Sequence, residues 1–153
     1  MKIALGSDHG GFELKNALIG HLREAGHEVQ DFGTRSKDSC DYPMIGFEVA
    51  RAVSRGACGR GILICKTGVG MAIIANKLPG VRAAACYDVT LARTSREHND
   101  CNVLVLAANY SDAAKAKEIA DVWLKTDCLG ERHARRVEQI KKFEKDVTRG
   151  DKK

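Results

Sequence analysis

No run of this sequence approaches the roughly 20 consecutive apolar residues that a membrane-crossing helix needs. The first residues, MKIALGSDHGG, pass from a short apolar strand directly to charged groups, so no signal peptide is read and the cytoplasm is the expected compartment. Proline is scarce, with two residues in 153, and low-complexity stretches are lacking, which sets aside a disordered or linker-built chain. The six cysteines, Cys40, Cys58, Cys65, Cys86, Cys101 and Cys128, contain no C-x-x-C pair, which argues against a zinc site and a disulfide scaffold. Several fall in apolar strand-like runs, where a reduced thiol serves as a small hydrophobe.

Also lacking are a Walker-type lysine loop, a G-x-G-x-x-G followed by an acidic residue, and a cluster of metal ligands, so no cofactor is expected. The net charge of +5 invites nucleic acid as a partner, but the excess is local. From Arg132 to the end nine lysines and arginines face four acidic residues, and residues 1–131 are neutral. With no interleaved aromatics and no binding motif, that stretch reads as a solvated tail with a few anion-binding arginines; neither nucleic acid nor a membrane is expected as a partner.

What is present is an ordinary globular composition, 44% hydrophobic and 29% charged, in a chain long enough to bury a core without staples. Short apolar runs at 2–7, 28–33, 61–65, 81–86 and 102–107 read as strands. Helical patterns lie between and after them, at 11–25, 44–55, 69–78, 89–98, 112–125 and 131–146. Gly26, Gly56 and Pro79-Gly80 stand where three of these helices should stop. Strands alternating with helices imply right-handed crossovers and a parallel sheet covered on both faces. The expected fold is a Rossmann-like three-layer α/β/α sandwich with a five-stranded parallel sheet. Residues 1–146 form its single domain, and 147–153 are expected to be a mobile charged tail. In such sheets ligands bind beyond the carboxyl ends of the strands, where strand order reverses.

At those ends the residue types become specific. After the first strand, SDHGG supplies Asp8 and His9, although an aspartate there also suits a helix cap. After the third, Cys65 is followed by KTGVG, whose Gly68 and Gly70 let backbone N–H groups approach an oxyanion closely. A helix start favours thiolate over thiol, so Cys65 is a candidate base or nucleophile, against the plainer reading of a buried strand residue. His98 and Asn99 bunch before the fifth strand; they could cap a turn, or the histidine could move a proton. Arg132 and Arg136 share a helix face, with Val137 and Ile140 on another, and two adjacent guanidinium groups suit a phosphate. The inventory favours cofactor-free proton transfer on a small phosphorylated metabolite.

The motifs SDHGG, DYP at 41–43, ILICKTGVGMAIIANKLPGVRAA, SREHNDCNVL and GERHARRVEQI, in this order and spacing, resemble the B-type ribose-5-phosphate isomerases. The wider group includes galactose-6-phosphate and allose-6-phosphate isomerases, and the resemblance runs from Met1 to about Phe143. It implies a cofactor-free aldose-ketose isomerase acting through a cis-enediolate, in a homodimer with shared active sites, sometimes paired into tetramers. The helix at 131–146 would then pack at the dimer interface. Carried onto this chain, the resemblance makes Cys65 the base and gives Thr67 and the N–H groups of Gly68, Val69, Gly70 and Met71 the enediolate oxygens. It gives His98 ring opening, Asp8, Tyr42 and Asn99 the sugar, and His9, Arg132 and Arg136 the phosphate. Two departures stand out: Lys66 where the family commonly has glycine after the cysteine, and Asn109 where it commonly has a substrate-reaching arginine. Both are therefore further candidates for substrate contact, and a hexose 6-phosphate isomerase or a non-catalytic sugar-phosphate-binding subunit remains an alternative.

Overall fold

Five strands in parallel, ordered β2-β1-β3-β5-β4, form the sheet of the computed structural model, which describes residues 1–148. The strands are β1 (Lys2–Ser7), β2 (Glu28–Asp31), β3 (Arg60–Cys65), β4 (Ala83–Ala85) and β5 (Val103–Ala107). The helices are α1 (Phe12–Glu24), entered through a short 3₁₀ turn at His9–Gly11, then α2 (Tyr42–Ser54), α3 (Val69–Ala75), α4 (Val89–Asn99), α5 (Ala113–Lys125) and α6 (Glu131–Thr148).

Apart from Lys2, Ser7 and Arg60 at their ends, the three central strands are apolar because both of their faces are covered, as a parallel sheet requires. Side chains alternate between two cores. Ile3, Leu5, Ile62, Ile64, Leu104 and Leu106 pack toward α1, α4 and α5, around Leu18, Ala92 and Ile119. Ala4, Leu63, Cys65, Val103 and Val105 pack toward α2 and α3, against Val49, Ala50, Met71 and Ala75. Each fully buried aliphatic side chain stabilises the fold by about 1.5–3 kcal/mol, so these two layers dominate its stability. The edge strands β2 and β4 are shorter than their apolar runs suggested.

Helix α3 also ends earlier than its pattern, at Ala75, because Asn76 redirects the chain. Its amide donates to the carbonyls of Ala72 and Ala83 and accepts from the Ala83 N–H, each at 2.9 Å, tying the helix end to the free edge of β4. Helix α6 runs to Thr148, two residues past expectation, with the Thr148 hydroxyl bonded back to the Glu144 carbonyl at 2.8 Å. The remainder of the expected tail, 149–153, lies outside the described residues. Among the described residues no helix is long and apolar enough to cross a membrane.

Strand order reverses between β1 and β3, since β1 leads outward to β2 while β3 leads the other way. The crevice expected to bind ligand therefore opens between Ser7-Asp8 and Cys65-Lys66.

Candidate functional site

Cys65 closes β3 with its side chain on the α2/α3 side of the sheet, 6% exposed. The Gly68 N–H donates to its Sγ at 3.0 Å. Gly68 precedes α3 with φ 83°, a left-handed conformation that turns the chain sharply enough to bring that N–H back over the sulfur. Thr67 is exposed; its hydroxyl accepts from the Val69 N–H at 3.4 Å, and its carbonyl is held by the Tyr87 hydroxyl at 3.2 Å. The first α-helical bond inside α3 is from the Ala72 N–H to the Gly68 carbonyl, so the Gly70 and Met71 N–H groups precede the helical ladder and point outward from its start.

Tyr42, the first residue of α2, lies across this start. A Cβ on Gly70 would stand 2.6 Å from the Tyr42 ring, so the glycine is what allows the ring to rest on the turn. On the β1 side Asp8 caps the 3₁₀ turn, its Oδ1 accepting from the Gly10 and Gly11 N–H groups at 2.9 and 3.2 Å. The capping role expected for Asp8 is thus realised, and its Oδ2 has no protein partner among the described residues. His9 Nδ1 accepts from the Cys40 N–H at 3.3 Å, which leaves Nε2 as the donor of the neutral ring.

The two departures from the family pattern lie at this edge as well. Lys66 leaves the sheet on the side opposite the thiol, and its stem rests on Gly10, where a Cβ would meet Cγ at 2.6 Å. Its carbonyl accepts from the Asn109 N–H at 3.0 Å, so the turn after β5 is latched to the lysine backbone.

His98, Asn99, Arg132 and Arg136 form a second, separate group. His98 and Asn99 end α4 and are exposed, as are both arginines on α6, which packs against α4. Between them stands His133, which the sequence reading passed over. Its ring stacks on that of His98 at 4.3 Å between centroids, and the Arg132 Nε–H donates to its Nε2 at 3.3 Å. Nε2 is thereby an acceptor, the hydrogen lies on Nδ1, and Nδ1 is buried without a partner among the described residues. The signal available in sequence was only its place between the two arginines. Val137 on the same helix is buried, whereas Ile140 is 46% exposed.

The two groups occupy opposite ends of the sheet. Cys65 pairs with Ala107 at the end of β5, whereas His98 and Asn99 precede the start of that strand. Four residue steps at about 3.3 Å separate the edges by roughly 13 Å along the sheet before the connecting turns are counted. Within one chain the base candidate and the ring-opening candidate do not meet. Among the described residues no three His, Cys, Asp or Glu side chains converge as metal ligands.

The family model described as Ribose/Galactose Isomerase matches residues 3–140. The chain belongs to the ribose/galactose isomerase family. Ribose-5-phosphate isomerase B of Escherichia coli is 48% identical over 143 residues, covering 94% of this chain and 96% of that protein. A solved ribose-5-phosphate isomerase B of Clostridium thermocellum superposes with TM-score 0.93 at 50% identity, over 96% of this chain and 99% of that one. A Mycoplasma genitalium ribose-5-phosphate isomerase B, solved with bound ribulose-5-phosphate, superposes with TM-score 0.91 at 37% identity, over 95% and 97% of the two chains. The Rossmann-like sandwich is the fold of this isomerase family.

Proposed function

We propose that the chain interconverts ribose 5-phosphate and ribulose 5-phosphate without a cofactor, as a homodimer whose two sites each join the thiol edge of one copy to the histidine edge of the other. The observation that carries this reading is the separation of the two edges at opposite ends of the sheet. A second copy related by a two-fold axis brings unlike edges together twice, as an isologous dimer allows. Exposed apolar residues suited to such a contact lie on α2 and α3 (Met44, Phe47, Ile73) and on α6 (Ile140, Phe143). Further pairing of dimers into tetramers is compatible with this surface. The six free cysteines fit the reducing environment of the cytoplasm.

In this reading His98 gives a proton to the ring oxygen as the bond from C1 to that oxygen breaks, and the C1 hydroxyl releases its proton to water, so that the furanose opens to the aldehyde. The Cys65 thiolate removes the proton from C2, giving the cis-enediolate, and returns it to C1, while a proton moves from O2 to O1. Charge accumulates on the enediolate oxygens, where the Thr67 hydroxyl and the Gly70 and Met71 N–H groups supply donors, while the Gly68 N–H stays on the Cys65 sulfur and the Val69 N–H, expected as a further donor, on the Thr67 hydroxyl. Such a donor is worth about 100- to 1000-fold in rate. His9, through Nε2–H, and Arg132 with Arg136 hold the phosphate, and Asp8, Tyr42 and Asn99 hold the sugar.

A second reading keeps the chemistry and moves the substrate to another sugar phosphate, such as allose or galactose 6-phosphate. It is favoured by Lys66, whose stem lies along Gly10 next to His9 and adds a cation where Asn109 leaves one out. The presence of Cys65, Thr67 and His98 together argues against a non-catalytic subunit. The test is turnover by metal-free protein of ribose 5-phosphate beside the two hexose 6-phosphates, following ketose, with Cys65→Ala as control. Ribose 5-phosphate turnover that vanishes in the variant supports the pentose reading; hexose turnover alone supports the second; no turnover overturns both.

A further inference from the structure

Two guanidinium groups grip the carboxylate of Asp100, the residue that follows His98 and Asn99. Arg82 Nη2 donates to Oδ2 at 2.8 Å and Arg96 Nη1 to Oδ1 at 2.6 Å. Arg82, just before β4, also donates through Nε to the carbonyls of Asn99 and Asp100 at 3.1 and 3.0 Å, and through Nη2 to the Asp100 carbonyl at 2.7 Å. Arg96 is 2% exposed; its Nη1 reaches the Cys101 carbonyl at 2.7 Å, and its Nε reaches the Thr126 carbonyl, beyond α5, at 3.1 Å. Asp100 itself has φ 46° and ψ 44°, the left-handed conformation at which α4 stops.

The last carbonyls of a helix lack partners inside it, and an exposed helix end frays unless something else binds them. Here two arginines from different elements bind the carbonyls of Asn99, Asp100 and Cys101 and tie them to β4 and α5. Ordinary capping needs one such bond. The surplus falls on Asn99 and on the two residues that follow it, directly after His98.

We propose that Arg82, Arg96 and Asp100 are positioning residues, a clamp that holds the end of α4 in the one pose presenting His98 and Asn99 to the sugar ring. The proposal rests on the isomerase reading. The clamp bonds neither Arg132 nor Arg136 and reaches them only through His133, which stacks on His98 and accepts from Arg132, so loosening it disturbs the sugar end of the site more than the phosphate end. A displacement of about 1 Å in a catalytic group lowers turnover on the order of 100-fold, so a small relaxation suffices.

The test compares Arg82→Met and Asp100→Gly with wild type; glycine keeps the left-handed turn unstrained while removing the carboxylate. Expected is a fall in kcat on ribose 5-phosphate of about tenfold or more, with the inhibition constant of inorganic phosphate within about twofold of wild type and partial recovery in Arg82→Lys. Unchanged kcat in both variants, or phosphate binding weakened as much as kcat, overturns the clamp. The His98 imidazole NMR signals, identified by their loss in His98→Asn, report its pose without substrate and are expected to shift in Arg82→Met. Signals that stay in place overturn the clamp, whereas a silent wild type with shifting signals overturns the isomerase reading alone.

Discussion

The imidazole of His133 lies flat on that of His98, 4.3 Å between centroids and 7° from parallel. Burial pushes His133 below the ordinary histidine value of 6.5, followed in effect by His98 and by the charges of Arg132 and Arg136, against the weaker pull of Glu97. The unfolded chain therefore takes up the proton more readily than the folded one. The contribution to stability is intact above the unfolded value and is lost as pH falls through the lowered one. His133→Phe keeps a ring and removes the titration. Its Tm is expected to fall less than that of wild type between about pH 7.5 and 5.5; equal falls would contradict the assignment.

Sharing of the sites between copies has a quantitative signature. Cys65→Ala and His98→Asn are each expected to lose activity by at least about 100-fold, the scale of a positioned proton-transfer group. When the two inactive proteins are unfolded and refolded together, half of the dimers are mixed, and each mixed dimer has one intact site. About a quarter of wild-type activity should return. Recovery no greater than the sum of the parents would mean that each chain builds its own site.

Two glycines flank the crevice with opposite consequences. Gly70→Ala places a methyl group 2.6 Å from the Tyr42 ring and must push it off the α3 turn. Because Tyr42 is 38% exposed, it can swing outward, so the cost falls on substrate binding, with KM raised several-fold and Tm little changed. Gly10→Ala meets the flexible stem of Lys66 at 2.6 Å, which can give way, and Asp8 Oδ1 less closely at 3.3 Å, and its kcat/KM should stay closer to wild type. The reverse ranking would show that Lys66, and not Tyr42, is the constrained wall.

Lys15 is 1% exposed and donates to Asp31 Oδ2 at 2.6 Å. Asp31→Ala strands the ammonium group and should cost about 3 kcal/mol, read as a fall of roughly 6–12 °C in Tm. Lys15→Met removes the charge with its stem retained, and its Tm should remain near that of wild type. Chemical denaturation of the two variants side by side checks the difference.

Much of the fold was legible in the chain because β1, β3 and β5 carry apolar side chains on both faces and alternate with helical patterns, as a covered parallel sheet requires. The edges were less so: β4 keeps three residues because Asn76, and not a further strand, satisfies its free side. The thiol edge could be read from Cys65, Gly68 and Gly70, whose chemistry is local. His133 could not, since its importance lies in a stack with His98 from another helix. Residue types alone were equally silent on the distance between Cys65 and His98. Strand order sets that distance, and nothing in either motif encodes that β4 lies outside β5.

The placement of the two edges also bears on how such a protein can change. In the proposed dimer each chain lends one half of its equipment to each of two reactions, so after gene duplication one copy could lose its cysteine and the other its histidine and the pair would still keep one working site. Neither copy could then be discarded. A self-sufficient enzyme would have become an obligate partnership through two losses and no gain.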